Sequence, residues 1–299
     1  MRKLLFFLVC FIPLLSLAQV EDSLKVISNT AAKQLPKIRY KSTVVSLFYR
    51  EFRDEGFSPL LYRGPSFQVA KYNERWRKKS ITKFEMVIGG GEIQPNKNYV
   101  NTLSKVSSLN MEINYHYMFP VKKLFKNKGN WYLGGILTNT FDGRLYLFLP
   151  NNSFGYEFSN AINPATHFSY DFKMGQSQRK FQAGFKLNFA LLAQVVRPNY
   201  IGMEPYQTYN GENIKPLAVL THGNKIALPN HFFRINTEVY FDRFKIGNND
   251  KIRIFYGWGV HVTKLPQSNP LYSAYHTIGV VSMLYSEKNK KVRKVKSEN

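Results

Sequence analysis

The side chains most able to do chemistry are charged groups and imidazoles that recur at every second position of extended stretches. Acids and bases are interleaved among them. This pattern suits a small interior filled by paired charges, or else a narrow conduit or an active site. The residues that we predict for this polar interior are Glu112, His116, His167, Asp171, Lys186, Arg234, Glu238 and Arg253.

Histidines are the candidates for catalysis or metal binding. A histidine beside a serine or an aspartate is the arrangement of a hydrolase, and we assign no local hydrolase signature to His116, His167 or His261. No two histidines have the spacing of metal ligands on one turn or one strand pair, so we predict neither a metal site nor a cofactor. We therefore predict that the protein is not an enzyme. A membrane-embedded lipid hydrolase is an alternative.

These side chains must be positioned by strands, and the clearest strand is Phe181–Val195. Its apolar side chains fall on odd positions, whereas the polar side chains fall on even positions: Gln182, Lys186, Asn188 and Gln194. A period of two indicates an extended strand with one apolar and one polar face. So long and aromatic a face suits a wall with lipid outside and water inside.

The same alternation recurs along the chain and predicts an all-β fold, a transmembrane antiparallel up-and-down β-barrel. We predict ten strands, with eight and twelve as alternatives. Aromatic content of 15% with a mean hydropathy of −0.32 excludes a helical membrane protein and suits a barrel, in which only alternate residues face lipid. The predicted strands contain residues 45–50, 65–76, 83–88, 109–119, 131–141, 167–173, 181–195, 233–242, 252–262 and 281–285.

Two kinds of connection are predicted to alternate strictly between these strands, short basic ones and longer, less charged ones. This alternation is typical of outer-membrane barrels with short periplasmic turns, and it places both termini in the periplasm. The short set is 77–80, 121–130, 175–180 and 247–250. The long set is 51–64, 93–106, 142–164, 197–229 and 264–274.

The connection 197–229 is the candidate for specific recognition. It contains Tyr200, Tyr206 and Tyr209 among asparagines and glycines, which form good ligand surfaces. The alternative is a lid that folds into the mouth of the barrel and plugs it.

The N-terminus has the pattern of a cleaved signal peptide over residues 1–18. Two basic residues precede an apolar run that is too short for a typical membrane span, and cleavage is predicted between Ala18 and Gln19. A retained anchor is the alternative. Cys10, the single cysteine, lies within this segment, so the mature chain has no thiol for disulfides or thiolate sites. Residues 19–41 are predicted to be a periplasmic leader, 42–285 the barrel, and 286–299 a basic periplasmic tail.

The net charge of +23 suggests anionic partners. The basic residues cluster in short connections and not on one face of a fold, which argues against nucleic acid. We predict that outer-membrane lipids and lipopolysaccharide are the partners. A protein partner is not indicated.

The end of the last strand resembles the C-terminal targeting signal of outer-membrane barrels, with Tyr285 as its terminal aromatic residue. With its strands rich in Phe and Tyr, the chain resembles outer-membrane β-barrel proteins of Bacteroidota-type bacteria. It departs from the usual ending, since Ser286–Asn299 follow the aromatic residue. The resemblance implies a multi-pass outer-membrane protein inserted by the outer-membrane assembly machinery. We predict a non-catalytic envelope component with a binding or structural role, and a small pore or transporter is another alternative.

The predicted orientation can be measured by labelling tags on intact cells. An epitope tag after Tyr285 is expected to be hidden from antibody, whereas a tag near Asn210 is expected to be accessible. The reverse pattern would place the basic turns outside the cell and contradict the predicted topology.

Overall fold

The computed structural model describes residues 38–56, 58–77, 80–95, 105–124, 128–146, 154–176, 178–197, 224–245, 250–266 and 268–287. Within these ranges, no helix is long and apolar enough to cross a membrane. The strands are β1 (Ile38–Asp54), β2 (Ser58–Arg77), β3 (Ser80–Pro95), β4 (Val106–Leu124), β5 (Gly129–Tyr146), β6 (Phe154–Met174), β7 (Arg179–Phe189), β8 (Leu192–Val196), β9 (Asn224–Ala227), β10 (Phe232–Phe244), β11 (Lys251–Thr263) and β12 (Leu271–Glu287).

The strands form one closed antiparallel barrel. Each strand from β1 to β7 pairs with the next, β7 pairs with β10, and β10, β11 and β12 follow in order. The β12 strand pairs with β1 from Ile38↔Glu287 to Asp54↔Leu271, which closes the ring. The short strand β8 continues the position of β7 beside β6, and β9 pairs with β8. The barrel therefore has ten strand positions, and the prediction of ten strands is confirmed.

The outer wall of the barrel is apolar. On β1, Val45 and Leu47 are 64% and 54% exposed, whereas Ser46 between them is buried on the lumen side. Exposed Phe, Met, Ile, Leu and Val side chains continue around the ring on every strand from β1 to β12. An apolar belt of this extent on a closed barrel is the lipid-facing surface of a transmembrane protein.

Several strands extend further than the sequence pattern predicts. Residues 51–64, predicted as a long connection, instead include the end of β1 and the beginning of β2, which are separated by residues 55–57. Most of 142–164 likewise belongs to β5 and β6, and the part between them is 147–153. Apolar alternation marks only the part of a strand that faces lipid, so the strand ends beyond the belt carry no such pattern.

The predicted strand Phe181–Val195 is interrupted. Leu191 and Leu192 are adjacent and both exposed, while Ala190 and Ala193 on either side are buried. The inward and outward positions therefore exchange between β7 and β8, and Ala193 and Val195 face the lumen. The prediction that Gln194 shares the polar inner face is wrong, because it lies opposite the exposed Ile226 on the outer side. Leu191 and Leu192 are both apolar, so residue type does not mark the change in parity.

The strict alternation of long and short connections is wrong, because only residues 55–57 separate β1 from β2, where a long connection is predicted. The predicted connection 197–229 also contains β9. We call the end of the barrel where β1 begins and β12 ends the terminus end, and the other end the loop end. The signal cleavage site at Ala18 and Gln19, and Tyr200, Tyr206 and Tyr209, lie outside the described residues.

Replacing Leu187 by Arg is expected to destabilise the barrel by about 2–4 kcal/mol, because the side chain lies between the lipid-facing Phe185 and Phe189 near the middle of the belt. Lys186→Arg is the control, since this side chain faces the lumen, and we expect a far smaller cost. The measurement is the free energy of unfolding after refolding into lipid vesicles. Equal costs would contradict the assigned faces.

Candidate functional site

The lumen near the terminus end is organised by one carboxylate, Asp242. Arg253, its register partner on β11, donates to both carboxylate oxygens at 2.6 and 2.8 Å. The Lys251 ammonium lies 2.7 Å from the same carboxylate. All three side chains are buried, and Asp242 is 0% exposed. A buried carboxylate is tolerable when it is paired and hydrogen-bonded in this way.

Tyr240 extends this network across the lumen. The Arg253 guanidinium lies 3.9 Å from the centre of the Tyr240 ring, a cation–π contact. The Tyr240 hydroxyl is 2.7 Å from Nε2 of His167 on β6. The ring crosses Gly184, where an added Cβ would lie 2.2 Å from a ring carbon, so only glycine allows this approach.

Apolar and aromatic side chains fill the remaining space at the terminus end. His167 stacks on Tyr132 with ring centres 5.5 Å apart, and Trp76 packs edge-on against both rings. We call this packed region with the Asp242 network the terminus-end layer. Its buried apolar core comprises Tyr40, Val44, Ala70, Tyr72, Tyr240, Phe255, Val281 and Met283.

A polar cavity of about 140 Å³ lies in the middle of the lumen. We call it the lumen cavity. Its charged lining mixes both signs around the wall, because three carboxylates and three cations come from four different strands. The charged and imidazole lining residues are Lys83, Glu85, Glu112, His116, Lys186, Arg234 and Glu238.

The cations that line the lumen cavity are paired. Lys186 lies 2.6 Å from Glu238, and Lys83 lies 2.8 Å from Glu85. His116 Nε2 lies 3.3 Å from the same Glu85 oxygen.

Arg234 forms an ion pair with Glu112 and donates to the Thr140 hydroxyl at 2.6 Å. The cavity therefore offers hydrogen-bonding groups of both signs, and its formal charge is balanced.

A second set of ion pairs crosses the lumen near the loop end. Asp54 accepts from Arg144 at 2.7 Å and from Arg197 at 2.5 Å. Glu157 lies 3.0 Å from His261 and 3.8 Å from Arg197. Beside them, Arg50 pairs with Asp142, and an apolar cluster fills the space between strands. We call this region the loop-end layer. Its apolar residues are Phe52, Tyr62, Ile93, Val106, Tyr146 and Leu271.

The structure brings five of the eight predicted interior residues to the lumen cavity: Glu112, His116, Lys186, Arg234 and Glu238. His167 and Arg253 belong to the terminus-end layer, and Asp171 is exposed where it accepts a hydrogen bond from Gln182. Sequence reasoning missed Asp54, Asp142, Arg144, Glu157 and Arg197 of the loop-end layer because it assigned them to long connections, whereas Arg50 and His261 lie in predicted strands. Asp142, Arg144 and Tyr146 occupy alternate positions, and this period of two could have predicted that the strand continues there with these side chains on one face.

The chain contains one sequence pattern that is typical of hydrolases. The expectation that no histidine carries such a pattern is therefore wrong. His167-Phe168-Ser169 has the His-x-Ser pattern of membrane-embedded lipases and lipid A deacylases. The structure places His167 and Ser169 on the lumen side of β6, where Ser169 is 0% exposed. His167 Nε2 contacts the Tyr240 hydroxyl, so the imidazole is held in the terminus-end layer.

Another histidine, His261, contacts both a hydroxyl and a carboxylate. Its Nε2 lies 2.9 Å from the Thr263 hydroxyl and 3.0 Å from Glu157. A catalytic relay needs the two partners on different ring nitrogens, so that a proton can pass from the hydroxyl to a base held by the acid. Here both partners share one nitrogen, and this geometry does not favour a relay. Within the described residues, no three His, Cys, Asp or Glu side chains are grouped to hold a metal ion.

A closed antiparallel barrel with an apolar outer wall and a polar lumen is an integral outer-membrane β-barrel protein. No protein-family model and no curated protein matches the sequence.

Solved structures of the same kind are similar in shape. The outer membrane protease OmpT from Escherichia coli is 9% identical, with a TM-score of 0.45, over 87% of this chain and 99% of that protein. An outer membrane channel from Pseudomonas putida F1 is 8% identical, with a TM-score of 0.29, over 86% and 98%. The β domain of the Bordetella autotransporter BrkA is 10% identical, with a TM-score of 0.35, over 81% and 98%.

Asp242→Asn is expected to destabilise the barrel by about 3–5 kcal/mol, because Arg253 and Lys251 would stay buried after losing the carboxylate that both contact directly. The measurement is the denaturant midpoint of the refolded protein, with unfolding followed by circular dichroism.

The matched control is Glu55→Gln. This carboxylate also pairs with an arginine, Arg53, at 3.2 Å, but both side chains are solvent-accessible. Its loss is expected to cost about 0–1 kcal/mol. A similar cost for the two substitutions would show that the Asp242 network does not stabilise the lumen.

Proposed function

We propose that this protein is a non-catalytic component of the outer membrane with a binding or structural role, and that its lumen is sealed. The observation that carries the proposal is the presence of two packed layers in one lumen, one toward each end. The side chains of each layer come from several strands around the barrel. A ten-stranded barrel is only slightly wider than one that side chains fill completely, so such packing is sufficient to close it.

Pairing of the lumen charges supports the sealed interior. A conducting pore presents charges to water, where ions can exchange with them. In the described part of the chain, Arg253 and Arg144 instead lie against carboxylates with almost no exposed surface. Moving an ion through either layer would require breaking these pairs, whose partners are fixed on different strands.

A catalytic role is less well supported. A lipid substrate approaches from the outer wall, whereas His167 and Ser169 face the filled lumen. The proposed function therefore resides on the outer wall, the strand ends or the loops. The aromatic-rich strands favour an origin among barrels of Bacteroidota-type bacteria.

Conductance across planar lipid bilayers tests the sealed lumen. The refolded protein is expected to give no stepwise current in molar salt, under conditions in which a general porin added to the same bilayer conducts. Steady single-channel steps from the refolded protein would favour the pore and overturn the proposal.

Release of free fatty acid tests the absence of catalysis. Purified protein incubated with phospholipid or lipopolysaccharide in mixed micelles is expected to release no more fatty acid than a buffer control. Ser169→Ala is the matched variant, since it removes one buried hydroxyl. Release by the natural chain that disappears in this variant would establish a lipid hydrolase instead.

A further inference from the structure

Four cations lie together on the lipid-facing wall of β1 and β2, near the terminus end. Lumen positions on these strands are identified by burial: Tyr40 and Ala70 are buried inside the barrel. The alternate positions therefore face outward. The outward residues are Arg39, Lys41, Lys71 and Arg75, with Asn73 among them. We call this group the β1–β2 cationic patch.

The register places like charges against each other. Arg39 on β1 lies directly opposite Arg75 on β2. The next outward residues of the two strands, Lys41 and Asn73, also lie opposite each other. Like charges directly opposite on one face of a sheet are destabilising. The Arg39 Nε donates to the Asn73 side chain at 2.9 Å, so this guanidinium is hydrogen-bonded within the patch.

Neighbouring strands supply no counter-charge at the paired positions. On the β12 side, Arg39 lies opposite Ser286 and Lys41 lies opposite Leu284. On the β3 side, the partners of Lys71 and Arg75 are Met86 and Thr82. The positive charge of the patch is therefore uncompensated by its cross-strand neighbours.

Lys71 extends the patch into the apolar belt. Its neighbour on the same face, Val69, is exposed to lipid, and so is Met86 across the strand pair. A bare ammonium is costly at this depth, and a long lysine side chain reaches toward the headgroup region to avoid it. The patch thus joins cations at headgroup level to an apolar surface along which an acyl chain can lie.

We propose that the β1–β2 cationic patch binds the phosphate of an anionic phospholipid, with an acyl chain along Val69 and Met86. Arginine pairs with phosphate through two parallel hydrogen bonds, and lysine adds a point charge, so this residue set suits a phosphodiester headgroup. The assignment to a lipid of the periplasmic leaflet rests on the predicted orientation. The proposed lipid site does not depend on whether the lumen is sealed.

Lipid binding to the refolded full-length chain in zwitterionic micelles tests the site. Native mass spectrometry would compare phosphatidylglycerol with phosphatidylcholine of the same acyl chains. The natural chain is expected to bind phosphatidylglycerol about tenfold more tightly. The combined variant Arg39→Gln, Lys41→Gln, Lys71→Gln and Arg75→Gln is expected to bind both lipids equally. Folding of each protein is checked by its heat-sensitive mobility on gels.

Arg53→Gln is the matched control. It removes an outward cation from the same strand, but Arg53 has a carboxylate partner in Glu55. We expect this variant to keep the preference for phosphatidylglycerol. A loss of preference equal to that of the combined variant would show a general effect of net charge and overturn the site.

The unfolding temperature is an independent measurement, and the proposal predicts the direction in which it changes. In neutral micelles the combined variant is expected to unfold at a higher temperature than the natural chain, because the opposed charges are gone. Phosphatidylglycerol is expected to raise the unfolding temperature of the natural chain only. An equal rise in both proteins would overturn the proposal. If the combined variant does not refold, Lys71→Gln alone is compared in the same way, and an unchanged preference would count against the site.

Competition with inorganic phosphate distinguishes a lipid phosphate from free phosphate as the anion that the patch binds. At millimolar concentration inorganic phosphate is expected to leave bound phosphatidylglycerol in place, because it has no acyl chain to contact the apolar wall. Displacement of the lipid would mean that the patch is a site for free phosphate.

Discussion

Pairing of β1 with β12 is the interaction on which the rest of the structure depends. It joins both ends of the two strands, with register pairs over Ile38–Lys41 and Val45–Asp54 of β1, and it closes the ring. In lipid, an unpaired backbone N–H or C=O costs several kcal/mol, so an open sheet could not remain in the membrane. Once the ring closes, each residue of a strand must face either lipid or the lumen. The alternation of Val45, Ser46 and Leu47 is the consequence.

Closure also fixes how the lumen must be filled. Ten strands enclose a narrow interior, in which charged side chains can be retained only with partners close by. An entirely apolar lumen would fill the space equally well, but both faces of each strand would then be apolar. A slip of one residue in register would cost little in such a barrel. Pairs such as Lys186 with Glu238 make the slip costly, because a shift of one strand by one residue would turn its charge toward lipid and leave the partner unpaired in the lumen.

The sequence predicts the part of the fold that lipid constrains and misses the part that it does not. The alternation of Phe185, Lys186 and Leu187 predicts the wall, and the structure confirms the ten strands. Beyond the belt, outward positions have no reason to be apolar, so Asp54, Arg144 and Glu157 were assigned to loops. Within the belt, the exchange of faces at Leu191 and Leu192 is not visible in the sequence, because both residues are apolar and Gln194 continues the polar even positions although it faces outward. Contacts between strands far apart in sequence, such as Tyr240 with His167, leave no periodic signal.

Register separates cations that support the fold from cations that are available to a ligand. In the lumen, Arg253 lies opposite Asp242, so its charge is satisfied by the strand pairing that builds the barrel. On the outer wall of β1 and β2, Arg39 lies opposite Arg75, and the pairing brings together charges that repel. Composition and strand assignment treat these arginines alike. Their cross-strand partners distinguish them, and this difference is the basis of our proposal that a membrane lipid balances the outer group.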